Sequence, residues 1–580
     1  MRQVWGCGGQ RCHRVQAVTS TLYRNGVVHS PADPFAEALL VDDGVVTWLG
    51  AEDTAAGLAA RADRVIDLHG ALVAPGFVDA HVHLLETGLA AESVDLTAAG
   101  GATSLAAALD ALARGARELD AADPGGEEVL LAFGWDEQTW PERRAPTADE
   151  LDAACGGRRV YAARVDGHSA VVSGAFARAV GIDRTPGWEA SGMVTSDAHH
   201  AAAAAVRQVS PARRTRAYRR ALADAAARGI VGVHEMSEPN MDTREGLAEL
   251  VALTADPAGA LPHVVAYRGE LCATADDARQ MLAELPFLTG IAGDLCADGS
   301  IGSRTAALRH PYSDLLAAPG GAEPTGRLFL TGEDIAAHLA ACSAAGTQGG
   351  FHVIGDRAMD EVVRGLELAA TEHGTSLLRS GHHRLEHALF VDASALAALL
   401  LYGVALSVQP AFDAAWGGSL GMYAARLGPG RASTLSPFAD LAGAGVPLAF
   451  GSDTPVTPLD PWQAVRATLT HEDTMQRISA RAAFRAHTRG GWRLAGLRVP
   501  RRQAVPGGLD GQGVRTPDGQ VRGRTDAQLA RAGVVHPGEP PPAAGVGAER
   551  GPRGDALHGV LVGEGGAHRL PRVERRHRGV

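Results

Sequence analysis

The pair His81-Val82-His83 is where chemistry can first be built on this chain. Residues i and i+2 of a strand point to the same side, and the pair closes the apolar run Ala71-Leu72-Val73-Ala74-Pro75-Gly76-Phe77-Val78-Asp79-Ala80. Two imidazoles on one face at a strand's carboxyl end can hold one metal ion, and in a parallel β/α barrel that end is where reactions are run. The spacing alone is weak, because an isolated His-x-His pair is more often satisfied by ordinary hydrogen bonds. Four further segments read as strand ends bearing polar groups. Gly349-Gly350-Phe351-His352-Val353-Ile354-Gly355-Asp356 presents His352, and His383-Arg384-Leu385-Glu386-His387-Ala388 presents His387. Pro447-Leu448-Ala449-Phe450-Gly451-Ser452-Asp453-Thr454-Pro455 delivers the carboxylate of Asp453, and Gly232-Val233-His234-Glu235 ends another strand. A hydrolytic metal centre needs neutral nitrogen or anionic oxygen ligands, an open position for water and a base for its proton. His81, His83, His352, His387 and Asp453 supply that set.

The elements that must position these residues follow from the pattern between them. From about 76 to 490, apolar strand candidates alternate with alanine-rich helical stretches: Ser104 to Leu119, Thr215 to Arg228, Glu333 to Ala345 and Ala393 to Leu401. Repeated strand-then-helix order implies an α/β fold with a parallel sheet, and the length favours a closed (β/α)8 barrel of the TIM type over an open sheet. Before it, Leu22 to Val28 and Ala38 to Gly50, the latter with an Asp43-Gly44 turn, read as a small antiparallel sheet. The expected organisation is an N-terminal extension over 1–20, the first part of a small β-sandwich over 21–75, the barrel over 76–495, and an Arg/Gly/Pro-rich tail over 496–580. That tail contains no aromatic residue, Ile, Met or Cys, so it is expected to be disordered.

A net charge of -12 argues against a general nucleic-acid binder, and the basic cluster Arg572 to Arg578 reads as a solvated end. The six cysteines lack ligand or disulfide spacing beyond the N-terminal pair Cys7 and Cys12, and the chain shows no signal region or membrane-length apolar run. A cytoplasmic protein with a small-molecule substrate is expected, with no membrane or nucleic-acid partner and with homo-oligomerisation left open. His199-His200 and His382 lack strand-end context and are expected at the surface. Trp135 and Trp140 are expected in the core or, alternatively, lining an apolar pocket.

The motifs Pro75 to His83, Gly134-Trp135-Asp136-Glu137, Asp166-Gly167-His168-Ser169, Asp298 to Ala306, His352 to Asp356, Arg384 to His387 and Gly451 to Pro455 together resemble the amidohydrolase superfamily, in its N-substituted formamide deformylase-like branch (amidohydrolase family 3). The resemblance covers about residues 21 to 495. It implies a distorted β/α barrel flanked by a β-sandwich built from both chain ends, with His81 and His83 ending strand one, His352 strand five, His387 strand six and Asp453 strand eight. It implies a metal-dependent hydrolase of non-peptide carbon–nitrogen bonds, of the amide or N-substituted formamide type; the alternatives are a cyclic-amidine deaminase on the same site and an inactive product with an aberrant C-terminus. Relatives complete the sandwich with a final stretch that is not recognisable after Gly490-Gly491-Trp492, which is the pattern expected of a reading-frame change near residue 496.

Within that reading, a divalent ion, expected to be zinc, acidifies bound water, and Asp453 takes the water's proton and returns it to the departing nitrogen. His387 ligates the metal or polarises the substrate carbonyl, and His168 is a candidate oxyanion donor. Asp298 and Arg304 either shape the pocket or are structural. Many relatives bridge two metals with a carboxylated lysine, but all 54 basic residues counted as Lys or Arg are arginine, and Asp294 stands where that lysine would be. A carbamate is chemically impossible here. Because an aspartate is much shorter than a carboxylated lysine, one ion is expected, with an Asp294 carboxylate bridge as the alternative.

Overall fold

The computed structural model describes residues 20–255, 261–315 and 324–496. The expected extension before residue 20 and the expected tail after 496, with the basic cluster, Cys7 and Cys12, lie outside the described residues.

Two units can be told apart, one up to Gly76 and one from Phe77. The N-terminal unit holds a four-stranded sheet in the order Val45–Gly50, Ala38–Asp42, Ser20–Arg24, Arg64–Asp67, beside a two-stranded ladder of Val27–Val28 with Leu72–Val73. The Asp43-Gly44 turn is as expected, both residues having positive φ (48° and 79°). The strands expected to be antiparallel are so, Ser20–Arg24 against Ala38–Asp42 and Ala38–Asp42 against Val45–Gly50, and Arg64–Asp67 adds a parallel edge beside Ser20–Arg24. The run Ala71 to Ala80 is broken at Pro75-Gly76, so its first half belongs to this unit and its second to the barrel.

The second unit is built on eight parallel strands: β1 Phe77–Val82, β2 Ile230–Ser237, β3 His263–Arg268, β4 Gly290–Ile291, β5 Gln348–Val353, β6 Arg384–His387, β7 Ala405–Val408 and β8 Leu448–Phe450. They pair in sequence order, and the ends meet through a parallel bridge between Val82 and Thr454. This is a distorted TIM-type barrel. Every residue of β1, β5, β6 and β7 is buried, as strands covered on both faces must be. The helices between them carry their own start and stop signals: Gly332–Ala345 opens on a Thr331/Asp334 capping box and ends at Gly346 in the left-handed region. At the amino end of the barrel, Gly490 and Gly491 allow the closing helical segment to press against it, since a Cβ would stand 2.4 Å from the Leu448 carbonyl oxygen and 2.3 Å from Val78 Cγ1.

One feature departs from the expectation of continuous barrel alternation. Between β1 and β2 the chain forms a separate five-stranded sheet, in the order Met193–Thr195, Ser169–Val172, Val160–Arg164, Leu130–Trp135, Val94–Asp95. Apart from one hairpin its strands alternate with helices, so by periodicity they look like barrel strands. Its hairpin between Val160–Arg164 and Ser169–Val172 turns on Asp166-Gly167, with Gly167 at φ 69°. Among the described residues, no helix is long and apolar enough to cross a membrane.

Candidate metal centre

The barrel's carboxyl end gathers the predicted residues. His81 and His83 leave the end of β1, His352 lies on β5, His387 closes β6, Asp294 follows β4 and Asp453 follows β8. All six are buried. His387 and Asp453 hold positive φ, 68° and 57°, a conformation that costs energy in residues other than glycine and is found at functional sites.

Hydrogen bonds fix the imidazole tautomers. His81 Nδ1 lies 2.9 Å from Glu386 Oε2, His83 Nδ1 3.2 Å from the Met236 carbonyl oxygen and His387 Nδ1 2.8 Å from Gln409 Oε1. Each acceptor requires the proton on Nδ1, which leaves each Nε2 a lone pair directed into the site. His352 is the reverse: its Nε2 is 3.4 Å from the Gly299 carbonyl oxygen, and Nδ1 is free.

These lone pairs converge on carboxylates. His81 Nε2 and His83 Nε2 lie 3.3 Å apart. Asp453 Oδ1 is 3.4 and 3.0 Å from the same two atoms. Asp294 reaches all four histidines: 3.4 Å to His81 Nε2, 3.0 Å to His83 Nε2, 3.7 Å to His352 Nδ1 and 3.8 Å to His387 Nε2. Two groups of potential ligands result, His81/His83/Asp294/Asp453 and Asp294/His352/His387, with Asp294 in both. Asp294 Oδ1, His352 Nδ1 and Asp453 Oδ1 are buried without a hydrogen-bond partner among the described residues. Facing lone pairs and bare carboxylate oxygens repel unless a cation lies among them, so this donor set fits divalent metal. Burial alone would press the His83 imidazole down, but Asp294 and Asp453 outweigh it and raise it to about 10; the cluster attracts positive charge.

A second layer holds these candidate ligands. Glu386 accepts from Arg384 Nε at 2.5 Å and from Arg384 Nη2 at 2.9 Å besides His81. Asp79 Oδ1 accepts from the Ser452 backbone N–H at 2.8 Å, tying β1 to the segment after β8. Glu386 and Gln409 received no role from the sequence. The signal for Glu386 was its place two residues from Arg384 on one strand face; nothing marked Gln409. His234 lies inside the barrel against Arg384, 3.0 Å from its Nη1, and away from the ligand groups.

The remaining predicted residues fall into place individually. Asp298 accepts three backbone N–H groups, from Ile354 at 2.9 Å, Gly355 at 2.7 Å and Ala307 at 2.8 Å, so it shapes the loop. Arg304 pairs with Asp314 at 2.7 Å. Trp135 and Trp140 are core residues of the inserted sheet, their indole N–H groups donating to the Ala162 and Ala102 carbonyls; neither lines the pocket. The pocket beside the cluster is lined by His168, Asp166, Ser300 and an apolar wall that includes Phe412, Trp416 and Tyr423. His168 comes from the inserted sheet's hairpin, its ring 5.0 Å from that of His352, and burial with His352 nearby lowers it to about 3, leaving it neutral. The expectation of a surface His199 is corrected: it is buried, and its Nε2 donates to the Gly167 carbonyl at 2.7 Å, bracing that hairpin. His382 is exposed and His200 half-buried.

Comparison with known proteins agrees with this geometry. The chain is 28% identical to the Bacillus subtilis (strain 168) protein YtcJ over 464 residues, covering 76% of this chain and 81% of that one. It is 32% identical to the N-substituted formamide deformylase of Arthrobacter pascens over 147 residues, 25% of this chain and 26% of the other. Among solved structures, an uncharacterized metal-dependent hydrolase of Pyrococcus furiosus superposes with a TM-score of 0.61 at 23% identity, covering 82% of this chain and 95% of that one. The amidohydrolase family model matches residues 64–503, and the chain belongs to the amidohydrolase family.

Proposed function

We propose that this hydrolase cleaves a non-peptide amide bond of the N-substituted formamide type, and that His81, His83, Asp453, His352 and His387, with Asp294 shared between the two groups, would hold two divalent ions, zinc in the first place. The observation that carries the reading is the double membership of Asp294 in both ligand groups. A single ion was expected from the short reach of an aspartate; the carboxylate's position within 3.8 Å of all four histidines supports its being shared between the two groups.

Ions bound there supply water acidic enough to ionise near neutral pH. The chain's residues do the rest. Asp453 Oδ1, bare and buried, is placed to accept the water's proton and to pass it to the departing nitrogen. His168, neutral and lining the pocket, donates an N–H to the substrate's carbonyl oxygen as charge gathers there. Asp294 faces both histidine pairs.

The test is metal analysis followed by activity. Purified protein loaded with zinc is expected to retain two ions per chain, and Asp294→Ala fewer. An N-formylamine panel is expected to release amine, a cyclic-amidine panel no ammonia, and Asp453→Asn to lose at least about a hundredfold in rate. Retention of one ion refutes the bridge; ammonia from the amidines refutes the amide reading; unchanged turnover in Asp453→Asn refutes the role of that residue.

A further inference from the structure

The cavity beside the candidate metal centre has room for about one water molecule, so a substrate reaches it only if a wall moves. One wall comes from a single stretch of chain between β7 and β8. Phe412 and Trp416 belong to the helix Pro410–Trp416, and Met422 and Tyr423 open the helix Met422–Leu427. The five residues between these helices are Gly417-Gly418-Ser419-Leu420-Gly421, and Leu420 at their tip is 99% exposed. The far end is fixed: Arg426 pairs with Glu137 and, at 2.6 Å, with Asp314, and it donates to the Gly302 carbonyl at 3.2 Å. The near part packs on the helix Pro461–Thr470 and is fastened by two polar contacts to the residues that follow that helix. Ser419 Oγ donates to Glu472 Oε1 at 2.9 Å, and Asp413 Oδ1 lies 3.5 Å from His471 Nε2. Glycines admit both acids, since a Cβ at Gly417 would stand 2.4 Å from Asp413 Oδ1 and one at Gly418 3.0 Å from Glu472 Oε2.

The contact between His471 and Asp413 attracts only with a proton in it. His471 is buried, and its Nδ1, 3.2 Å from the Asp473 carbonyl oxygen, must carry a hydrogen to pair with it. Nε2 faces the carboxylate and has no hydrogen-bond partner among the described residues. A lone pair set against a carboxylate oxygen repels, whereas a proton on either atom draws the two together. Burial pushes the Asp413 carboxyl up against the pull of His471, and Glu472 adds to the rise. The other ionisable groups at the pair are Glu472, Arg477, which donates to the His471 carbonyl at 2.8 Å, and the Tyr423 phenol near Asp413. Phe438 presents a ring edge to the imidazole.

We propose that the segment 410–423 is a lid over the cavity, held shut by the proton that His471 and Asp413 share and released when that proton is lost as pH rises. The lid rests on the hydrolysis proposed above only for what passes beneath it. Its opening belongs to the chain and is visible without substrate. It gives a role to the glycine-rich turn, which bends at one end of the helix that carries Phe412 and Trp416, and to the stretch His471-Glu472, which lines no part of the cavity yet holds the segment that does.

Hydrogen–deuterium exchange of the zinc-loaded protein, with each peptide's rate divided by its intrinsic rate, reads the opening directly. From about pH 6 to about pH 8.5 the segment 410–423 is expected to exchange at least about fivefold faster relative to the helix Leu105–Ala122 of the inserted layer. In Asp413→Asn the side-chain amide donates to the unprotonated Nε2 or, turned over, accepts from the protonated one, so the segment is expected to stay protected throughout. Quenching of Trp416 by acrylamide, taken as the difference from Trp416→Phe, is expected to rise over the same range in the unsubstituted protein; acrylamide is itself the size of a small amide. A pH-independent exchange ratio in the unsubstituted protein overturns the proposal, with no dependence on any variant folding. A rise that persists in Asp413→Asn overturns it as well, because another group then releases the segment. A rise without quenching does so too, because the segment then loosens without uncovering the cavity. Amine release from the N-formylamine panel is followed alongside. Opening without amine release upholds the lid and refutes the hydrolysis; amine release with a pH-independent segment refutes the lid alone.

Discussion

Replacing Glu386 with Gln keeps the shape of a buried side chain and removes one charge, and the consequences can be worked from three contacts. Three N–H groups converge on the carboxylate: Arg384 Nε on Oε1 at 2.5 Å, and Arg384 Nη2 and His81 Nδ1 on Oε2, each at 2.9 Å. A glutamine has one oxygen. Turned toward Nη2 and Nδ1, it sets its NH2 against Arg384 Nε–H; turned the other way, it opposes two donors. In either case Arg384, fully buried, loses its counter-charge. Burial works to raise the Glu386 carboxyl, yet Arg384 and His81 hold it at about 2 against an ordinary 4.5, a difference worth about 3 kcal/mol. Breaking a buried ion pair from one side costs about 3–5 kcal/mol, which agrees. Because the folded value is depressed, this stabilisation is present above about pH 4.5 and is lost as pH falls toward about 2. The second effect is on the ligand: without its acceptor, His81 no longer has Nδ1 fixed as the protonated nitrogen, and metal affinity is expected to fall about 10- to 100-fold. Denaturant unfolding of metal-free protein at pH 7 measures the first effect, and zinc competition against a chromophoric chelator measures the second. If Glu386→Gln unfolds at the same denaturant concentration and competes for zinc as well as the unsubstituted protein, the assignment of Glu386 as the orienting group for His81 is wrong.

Other outcomes can be checked with similar means. Asp298→Asn turns an amide NH2 toward at least one of three backbone N–H groups and is expected to cost about 2–5 kcal/mol in denaturant unfolding. Asp79 is raised to about 6 by burial against the ordinary 3.8, in spite of its hydrogen bonds from Ser452 and His81. A raised folded value stabilises below about pH 4 and the contribution is lost as pH rises through about 6, so the difference in stability between the unsubstituted protein and Asp79→Asn is expected to change by about 3 kcal/mol across that window, the asparagine gaining as pH rises; a flat difference curve refutes it. Gly302→Ala puts a Cβ 2.4 Å from Arg164 Nη1 and 2.6 Å from Asp166 Oδ2, and thermal unfolding is expected to show a loss of about 1–3 kcal/mol.

The histidines that cluster at the barrel's carboxyl end were legible because a buried parallel strand is a short apolar run, and a polar residue at its carboxyl end stands out against it: β1, β5, β6 and β8 each show this. Helix spans were legible wherever a cap residue is present, as at Ser104 and Thr331, whose side chains accept from the first turn. The inserted sheet was hidden, because strand–helix alternation has the same period whether the strands enter the barrel or a separate layer. Asp294 shows a different limit. Which ligands a short side chain reaches depends on where the strand end places its Cα, and residue type carries no information on that. His199 and Gln409 were missed because each acts by supporting a neighbour in space that lies far away in sequence.

The aspartate at position 294 has a consequence for how this protein comes to be active. A carboxylated lysine is made after translation by addition of carbon dioxide to an amine, and the adduct can be lost again in acid or when the metal is withdrawn. Asp294 leaves the ribosome complete, in a chain with no lysine amine to modify. A metal centre on these residues would therefore mature without dissolved carbon dioxide or bicarbonate, and metal-stripped protein would need only metal to be restored.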